Sequence, residues 1–96
     1  MLINHYKIPL NTMAKKKYKS GQSLDIYAKS GTKVRGEFEN GKIKHGHDHD
    51  QEHAMKYLKP DTIYTIDRTE VDSWHTDVYL KEFPNISFNS VHFIHS

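Results

Sequence analysis

The sequence contains no cysteine, only three prolines and a single tryptophan among its 96 residues. Because cysteine is absent, the chain has no disulfide, no thiol nucleophile and no thiolate metal ligand. No apolar stretch reaches the roughly 18 residues that a membrane-spanning helix needs. The opening residues include His5, Lys7 and Pro9 and do not resemble the apolar part of a signal peptide. We therefore expect a small cytoplasmic protein.

Charge is unevenly distributed along the chain. Residues 1–44 hold ten Lys or Arg against three acidic residues, a net +7, whereas residues 45–96 hold four against nine, a net −5. Such a split is typical of a basic nucleic-acid-binding arm, of two faces of one domain that neutralise each other, or of a self-complementary oligomer. Leu, Ile, Val and Phe number only 21, which is few for a domain core. The split and the small core together favour a homo-oligomer.

Two regions are predicted from the spacing of apolar residues. Residues 1–20 have no regular hydrophobic period and contain a lysine cluster, which predicts a flexible basic tail. Residues 21–96 are expected to form a single small β-barrel domain with a His-rich helical insertion at 45–59. Translation starts at Met1 or at Met13, which opens the run Met-Ala-Lys-Lys-Lys.

Alternating apolar and polar residues predict most of the strands. The alternation is cleanest in the segment that begins at Trp74. Asn40-Gly41 predicts a two-residue hairpin turn, since both residue types tolerate a positive φ. The last segment is predicted to be a strand, or a 3₁₀ turn followed by a strand. The predicted strands are 24–28, 33–39, 42–46, 63–69, 74–80 and 86–93.

One short helix interrupts this pattern and is predicted over 49–58, ahead of Pro60-Asp61. Asp48 or Asp50 is the expected N-cap, and Asp48 with Gln51 resembles a capping box. The buried face of the helix should hold Ala54, Met55 and Leu58. The predicted core of the whole domain consists of Ile26, Tyr64, Ile66, Trp74, Val78, Leu80, Phe88, Val91 and Phe93.

The C-terminal part contains the run Ser-Trp-His-Thr-x-Val-x-Leu-x-x-Phe-Pro-x-x-x-Phe-Asn-Ser-Val, from Ser73 to Val91. Over residues 62–96 the chain resembles small proteins from phages and prophages of Gram-positive bacteria. The resemblance implies a phage protein with a mainly β fold, a small antiparallel SH3-like barrel of about five strands. It places the protein in the cytoplasm of the infected or lysogenic host cell. It implies no particular activity.

Four histidines and three carboxylates lie within nine residues and form a candidate metal site. His49 and His53, four residues apart, would share a helix face, a spacing at which two imidazoles meet one ion. Nitrogen and oxygen ligands suit a divalent transition metal such as zinc or nickel. The alternative is a solvated loop whose histidines titrate independently. The candidate ligands are His45, His47, His49 and His53.

A mixed polar row on the strand that begins at Trp74 is the candidate ligand- or partner-binding site. In a strand, alternate side chains face one way, about 6–7 Å apart, so this row would lie opposite the core. An imidazole, a carboxylate, a phenol and an amine flanked by aromatic rings suit a base and a phosphate, or a protein partner. An ordinary solvent-facing sheet surface is the alternative. The residues are Trp74, His75, Asp77, Tyr79, Lys81, Phe83 and Asn89.

Catalysis is not expected, and no catalytic residue is predicted. Ser73, His75 and Asp77 include the residue types of a hydrolytic triad. On one strand, however, their spacing exceeds the roughly 3 Å that proton transfer requires.

Nucleic-acid binding through the basic half of the chain is the first alternative function. Lysines interleaved with aromatic residues offer phosphate contacts and stacking surfaces. Only two arginines are present, however, and arginine dominates the recognition of base edges. The candidate residues are Lys15, Lys16, Lys17, Lys19, Lys33 and Arg35.

The sequence and the resemblance together favour a non-enzymatic, phage-encoded binding protein. Its expected role is that of an accessory factor that counters a host defence, by binding a host protein or by sequestering a small nucleotide signal. The nucleic-acid module and a metal-binding protein that uses the His-rich insertion are the alternatives.

Overall fold

The computed structural model describes residues 17–96, and they form a mainly β protein with two antiparallel sheets and one α-helix. The prediction of a mainly β fold with an inserted helix is therefore confirmed. The elements are β1 Lys33–Gly36, β2 Phe38–Glu39, β3 Lys42–Ile43, α1 Asp48–Tyr57, β4 Tyr64–Val71, β5 Thr76–Leu80, β6 Ser87–Asn89, a 3₁₀ helix Ser90–His92 and β7 Phe93–His95.

The main sheet has the strand order β6-β5-β4-β1-β7, and every neighbouring pair is antiparallel. Within residues 17–96 no ladder joins β6 to β7, so the sheet is not a hydrogen-bonded closed barrel. The register of β4 against β5 shifts between Ile66 and Arg68, which leaves Asp67 as a bulge. The 3₁₀ helix connects the two outer strands directly.

The second sheet is the hairpin that Asn40-Gly41 predicted. Strands β2 and β3 pair with Phe38 opposite Ile43, and Asn40 and Gly41 have φ values of 54° and 80°. Positive φ at both turn positions is the geometry of a type I′ turn, which matches the natural twist of the flanking strands. The turn was therefore predictable from two residues alone.

Most of the predicted core is buried as expected. Val78, Leu80 and Ile66 are completely shielded from solvent, and Tyr64, Phe88 and Phe93 are nearly so. Ala54 and Leu58 are buried, as expected for the inner face of the helix, and the interior also contains four apolar residues that the prediction omitted, namely Ala28, Val34, Ile43 and Ile94.

Three residues of the predicted core are placed wrongly. Trp74 is 90% exposed, because it lies in the loop before β5 rather than in the strand. Val91 is 46% exposed, because the 3₁₀ helix turns its side chain outward. Ile26 is only half-buried.

The predicted strand at 24–28 is also wrong. The chain turns at Ile26, and Ser23 makes only a single bridge to Ile94 of β7. The backbone N–H of Leu24 donates to the carbonyl of Phe93 at 3.3 Å, so this segment follows the edge of β7 without becoming a strand. The next predicted strands, 33–39 and 42–46, are shorter in the structure, as β1 with β2 and as β3.

Helix α1 lies where it was predicted, but its N-cap residue differs from the prediction. Its N-cap is His47, which makes no side-chain capping bond, so neither Asp48 nor Asp50 caps it. Both aspartates lie in the first turn, where a carboxylate stabilises the positive end of the helix dipole. Ala54 is buried, whereas Met55 is 37% exposed. No helix within residues 17–96 is long and apolar enough to cross a membrane.

Two hydrogen bonds fix α1 against the sheets. The amide of Gln51 donates to the carbonyl of Ile43 at 3.1 Å, and Nε2 of His53 lies 3.0 Å from the carbonyl oxygen of Ser87. The carbonyl can only accept, so Nε2 of His53 carries the proton. The helix therefore bridges β3 and β6 and forms one side of the candidate site.

Candidate functional site

A groove open to solvent lies beside Trp74 within the described residues. It consists of two adjoining cavities of about 930 and 440 Å³, which share His47, Trp74, His75 and Asn89. We call it the Trp74 groove. The larger cavity is lined by Ser23, Leu24, Ile26, His45, Gly46, His47, Asp72, Ser73, Trp74, His75, Thr76, Asn89, Ser90, Val91 and Phe93, and the smaller one by His47, Asp50, His53, Trp74, His75, Asp77, Ser87, Phe88, Asn89 and His92.

Trp74, which lines both cavities, is held in place by a short, hydrogen-bonded loop. The backbone N–H of Asp72 donates to the carbonyl of His75 at 2.9 Å, and the Asp72 carboxylate accepts from the N–H of Ser73 at 2.7 Å. The loop closes the hairpin where Val71 of β4 pairs with Thr76 of β5. The indole is consequently exposed on a loop that is fixed at both ends.

His75 and Asp77 form a pair inside the groove. Nε2 of His75 lies 3.1 Å from Oδ1 of Asp77. The expectation that these side chains are too far apart to touch is wrong, because His75 precedes β5 and is not held in strand geometry. The Asp77 carboxylate can therefore orient the imidazole, and it cancels the charge of His75 whenever that ring is protonated.

His92 and Gly46 lie against each other at the groove, where Gly46 lines the larger cavity and His92 the smaller one. Nδ1 of buried His92 lies 2.9 Å from the carbonyl oxygen of His45, so it is the protonated nitrogen. Gly46 has a φ of 112°, and a Cβ atom there would come within 2.7 Å of the His92 ring. Burial lowers the pKa of His92, although the bond to His45 and the nearby Asp50 carboxylate act in the opposite direction.

Apart from histidines, the ionisable residues that line the groove are all acidic. Asp72 lies in the larger cavity, and Asp50 and Asp77 lie in the smaller one. No Lys or Arg of the described chain lines either cavity. The groove therefore offers carboxylates, imidazoles and an exposed indole to a ligand.

The structure divides the predicted polar row instead of keeping it together. Trp74, His75, Asp77 and Asn89 line the groove, whereas Tyr79, Lys81 and Phe83 lie outside it. The guanidinium carbon of Arg68 lies 3.9 Å from the centre of the Tyr79 ring. Phe83 packs with the rings of Tyr57, Tyr64 and Phe88, at 5.5 to 6.1 Å between ring centres. Lys81 is exposed.

Several groove residues have no counterpart in the sequence-based site. His92 lies within the predicted strand 86–93, Val91 belongs to the predicted core, and Asp72 lies between the predicted strands 63–69 and 74–80. Their place in the groove depends on the 3₁₀ helix and on the docking of α1, which join segments about 45 residues apart in the sequence, such as His45 and His92. No local pattern in the sequence indicates that contact.

Three of the four candidate metal ligands, His45, His47 and His53, line the Trp74 groove, whereas His49 does not. His53 bonds to Ser87, His45 lies 3.4 Å from the Glu37 carboxylate, His47 lines the groove and His49 is exposed. Within residues 17–96, no three or more His, Asp or Glu side chains are grouped so that they could hold a metal ion. Binding of zinc or nickel stays a prediction.

The described residues among those proposed for nucleic acid, Lys17, Lys19, Lys33 and Arg35, do not line the groove. Lys17 and Lys19 are exposed, and Nζ of Lys33 lies 2.7 Å from Oγ1 of Thr65. Arg35 is half-buried on β1. Lys15 and Lys16 lie outside the described residues, as do most of the predicted tail and the alternative start at Met13.

Ring stacking and hydrogen bonds hold residues 18–25 against β7. The Tyr18 ring stacks on the buried His95 ring, with 3.7 Å between ring centres and 4° between their planes. The Tyr18 hydroxyl donates to the Asp25 carboxylate at 2.9 Å, and the N–H of Asp25 donates to Nε2 of His95 at 3.0 Å. Because Nε2 accepts, the proton of His95 is on Nδ1, which is buried without a partner in residues 17–96.

Acidification should destabilise the protein through His92 and His95. Burial lowers the pKa of both groups below the unfolded value near 6.5, although Asp25 partly offsets the effect at His95. The unfolded chain therefore binds more protons, so the free energy of unfolding is largest above about pH 6.5 and falls as the pH decreases through the two folded-state pKa values. Protonation of Nε2 in His95 would also place an N–H against the N–H of Asp25.

Urea unfolding at about pH 7.5 and about pH 5.5 checks this expectation. The His95→Asn variant should be less stable than the wild type at the higher pH and should lose less stability between the two. Equal stability of the wild type at both pH values would contradict the assignment.

Comparison with known proteins places this small, mainly β chain with a phage family. The family model described as Bacteriophage T4 protein Y07B matches residues 25–95, and the chain belongs to this family. The phage assignment expected from the resemblance is thereby confirmed, whereas the Gram-positive origin and the specificity of the run from Ser73 to Val91 stay predictions. No curated protein and no solved structure matches the chain.

Proposed function

We propose that this phage protein is a non-enzymatic binding protein that counters a host defence by binding a host protein in the Trp74 groove. The observation that carries the proposal is the 90% exposure of Trp74 beside a cavity of about 930 Å³. A large aromatic ring held in solvent loses the stabilisation that burial would supply, about 1.5–3 kcal/mol for a large side chain. Tryptophan is also enriched among the residues that dominate binding energy at interfaces.

The composition of the groove favours a protein over a nucleotide as the occupant. Asp50, Asp72 and Asp77 line it, and no Lys or Arg of the described residues does. A nucleotide phosphate would lie close to these carboxylates, and like charges repel. The apolar side chains of Leu24, Val91 and Phe93 line the same cavity and suit a protein side chain.

Trp74→Ala should abolish most of the binding and leave the fold intact. Truncation of a central interface tryptophan costs about 2 kcal/mol or more, a loss of affinity of about 30-fold. The ring is exposed, so the free energy of unfolding should change by less than about 0.5 kcal/mol. Tyr27→Ala is the matched control, since Tyr27 is 71% exposed and lines neither cavity.

The partner can be trapped by a photo-crosslinking amino acid at Val91, which is 46% exposed and lines the groove. Crosslinked host protein identified in bacterial cells is then purified and its affinity measured with each variant. Weaker binding for Trp74→Ala alone supports the proposal, and equal binding by the wild type, Trp74→Ala and Tyr27→Ala overturns it. If crosslinks form only between copies of this chain, the proposal of a host partner is wrong and the groove is a homo-oligomeric interface.

A thermal-shift screen tests the other candidate ligands. Nucleotides, cyclic dinucleotides, zinc, nickel and short DNA are added to the wild type and to Trp74→Ala. A ligand at 100 times its dissociation constant stabilises by about 2.7 kcal/mol, which is easily detected. A nucleotide that stabilises only the wild type would replace the host protein as the occupant.

A further inference from the structure

We propose that the Trp74 groove recognises an arginine side chain of its protein partner. The inference rests on the proposed function and specifies the chemistry of the partner. It follows from the combination of an exposed indole face with carboxylates in one groove.

The indole supplies one half of such a site. Trp74 is 90% exposed and is held by the loop hydrogen bonds at Asp72 and Ser73. Tryptophan has the strongest cation–π interaction of the aromatic side chains, and arginine, with its planar guanidinium, is its most frequent cationic partner. The same stacking occurs within this protein, where the Arg68 guanidinium lies 3.9 Å from the centre of the Tyr79 ring.

The carboxylates supply the other half. Asp72 lies next to Trp74 in the larger cavity, and Asp77 lines the smaller cavity together with Trp74. A guanidinium donates pairs of parallel hydrogen bonds to a carboxylate, a geometry that an ammonium lacks. Arg68 in β4 is engaged by Asp67 and Glu70 at 3.0 and 3.1 Å and lines neither cavity. Of the described residues, His75 contacts Asp77 and no Lys or Arg lines either cavity, so no permanent positive charge neutralises these carboxylates.

The single tryptophan makes the test direct, since all tryptophan emission reports on the groove. Four short peptides, acetylated and amidated, differ only at a central arginine, lysine, citrulline or glutamate flanked by glycine and serine. Each is titrated into the full chain at millimolar concentrations, and the change in emission is followed. We expect arginine to bind most tightly, lysine more weakly, and citrulline and glutamate weakest.

Replacing aspartate with asparagine, which has nearly the same shape but no charge, tests whether the carboxylates bind the guanidinium. The double variant Asp72→Asn/Asp77→Asn should weaken arginine-peptide binding about fivefold, as expected for partly exposed ion pairs. Asp61→Asn is the matched control, because Asp61 lies before the opposite end of β4 and its positive φ suits asparagine. Equal affinity for the arginine and citrulline peptides, preference for glutamate, or no binding of any peptide would overturn the inference.

Failure of the arginine preference can be distinguished from failure of the proposed function. If the crosslinked host protein depends on Trp74 while the arginine peptide does not bind, only the arginine preference fails. If neither the host protein nor any peptide depends on Trp74, both proposals fail.

Discussion

Phe88→Ala should lower the free energy of unfolding by about 3–5 kcal/mol, the range for truncation of a buried phenylalanine. Phe88 is 1% exposed, and its ring lies 5.4 to 6.1 Å, centre to centre, from the rings of His53, Tyr57, Phe83 and Phe93. These partners come from α1, from the loop after β5 and from β7, so the cavity would open where three segments of the chain meet. Small domains have a total stability of about 5–15 kcal/mol, so this loss is a large fraction of it.

Urea unfolding of Phe88→Ala and of Val91→Ala checks the prediction. Val91 is three residues further along and 46% exposed, so its truncation should change the stability by less than about 0.5 kcal/mol. Similar losses for the two variants would show that Val91 belongs to the core, as the sequence had indicated. Phe88→Leu keeps an apolar side chain and should lose less stability than the alanine variant.

Gly46→Ala should cost about 2–4 kcal/mol, because it combines backbone strain with a steric clash. Gly46 has a φ of 112°, where side chains other than glycine are rarely found. The new Cβ would lie 2.7 Å from Cε1 of His92, whose ring is buried and bonded to the carbonyl of His45. Because His92 cannot rotate away without losing that bond, the strain reaches the wall of the Trp74 groove.

Gly31→Ala separates the two effects. Gly31 has a φ of 94°, and a Cβ there would meet nothing within 4 Å, so this variant carries the backbone strain alone. It should lose about 1–2 kcal/mol, less than Gly46→Ala, and leave Trp74 emission unchanged. Equal losses in urea unfolding would show that the clash with His92 is relieved without cost.

The elements that depend on neighbours in sequence were predictable. Alternation within the predicted strands 63–69 and 74–80 places Ile66, Val78 and Leu80 inward, as the structure confirms. The hairpin at Asn40-Gly41 depends on two residues that accept a positive φ. Helix α1 lies within one residue of the predicted 49–58 at each end. In each case the residues that carry the sequence pattern are the same few residues that form the element.

The errors occur where a side chain can pack only against a distant segment. Trp74 continues the alternation of β5 by one step, yet the strand begins at Thr76 and the indole is left in solvent. His53 shares a helix face with His49 by spacing, but it turns inward to bond Ser87 of β6. A periodic pattern cannot indicate where a strand stops or which neighbour an imidazole meets.

The sequence by itself therefore determined the mainly β class, the hairpin at Asn40-Gly41, the helix and most of the core, since these follow from local periodicity and turn chemistry. The sequence also named Trp74, His75, Asp77 and Asn89 as site residues, but only the tertiary structure decided what faces them. His45 and His92 touch across 47 residues of chain, and residues of α1 and of the 3₁₀ helix join Trp74 and His75 in lining the groove. The physical reason is that burial and hydrogen bonding between distant segments fix which polar groups converge, and no local pattern encodes that convergence.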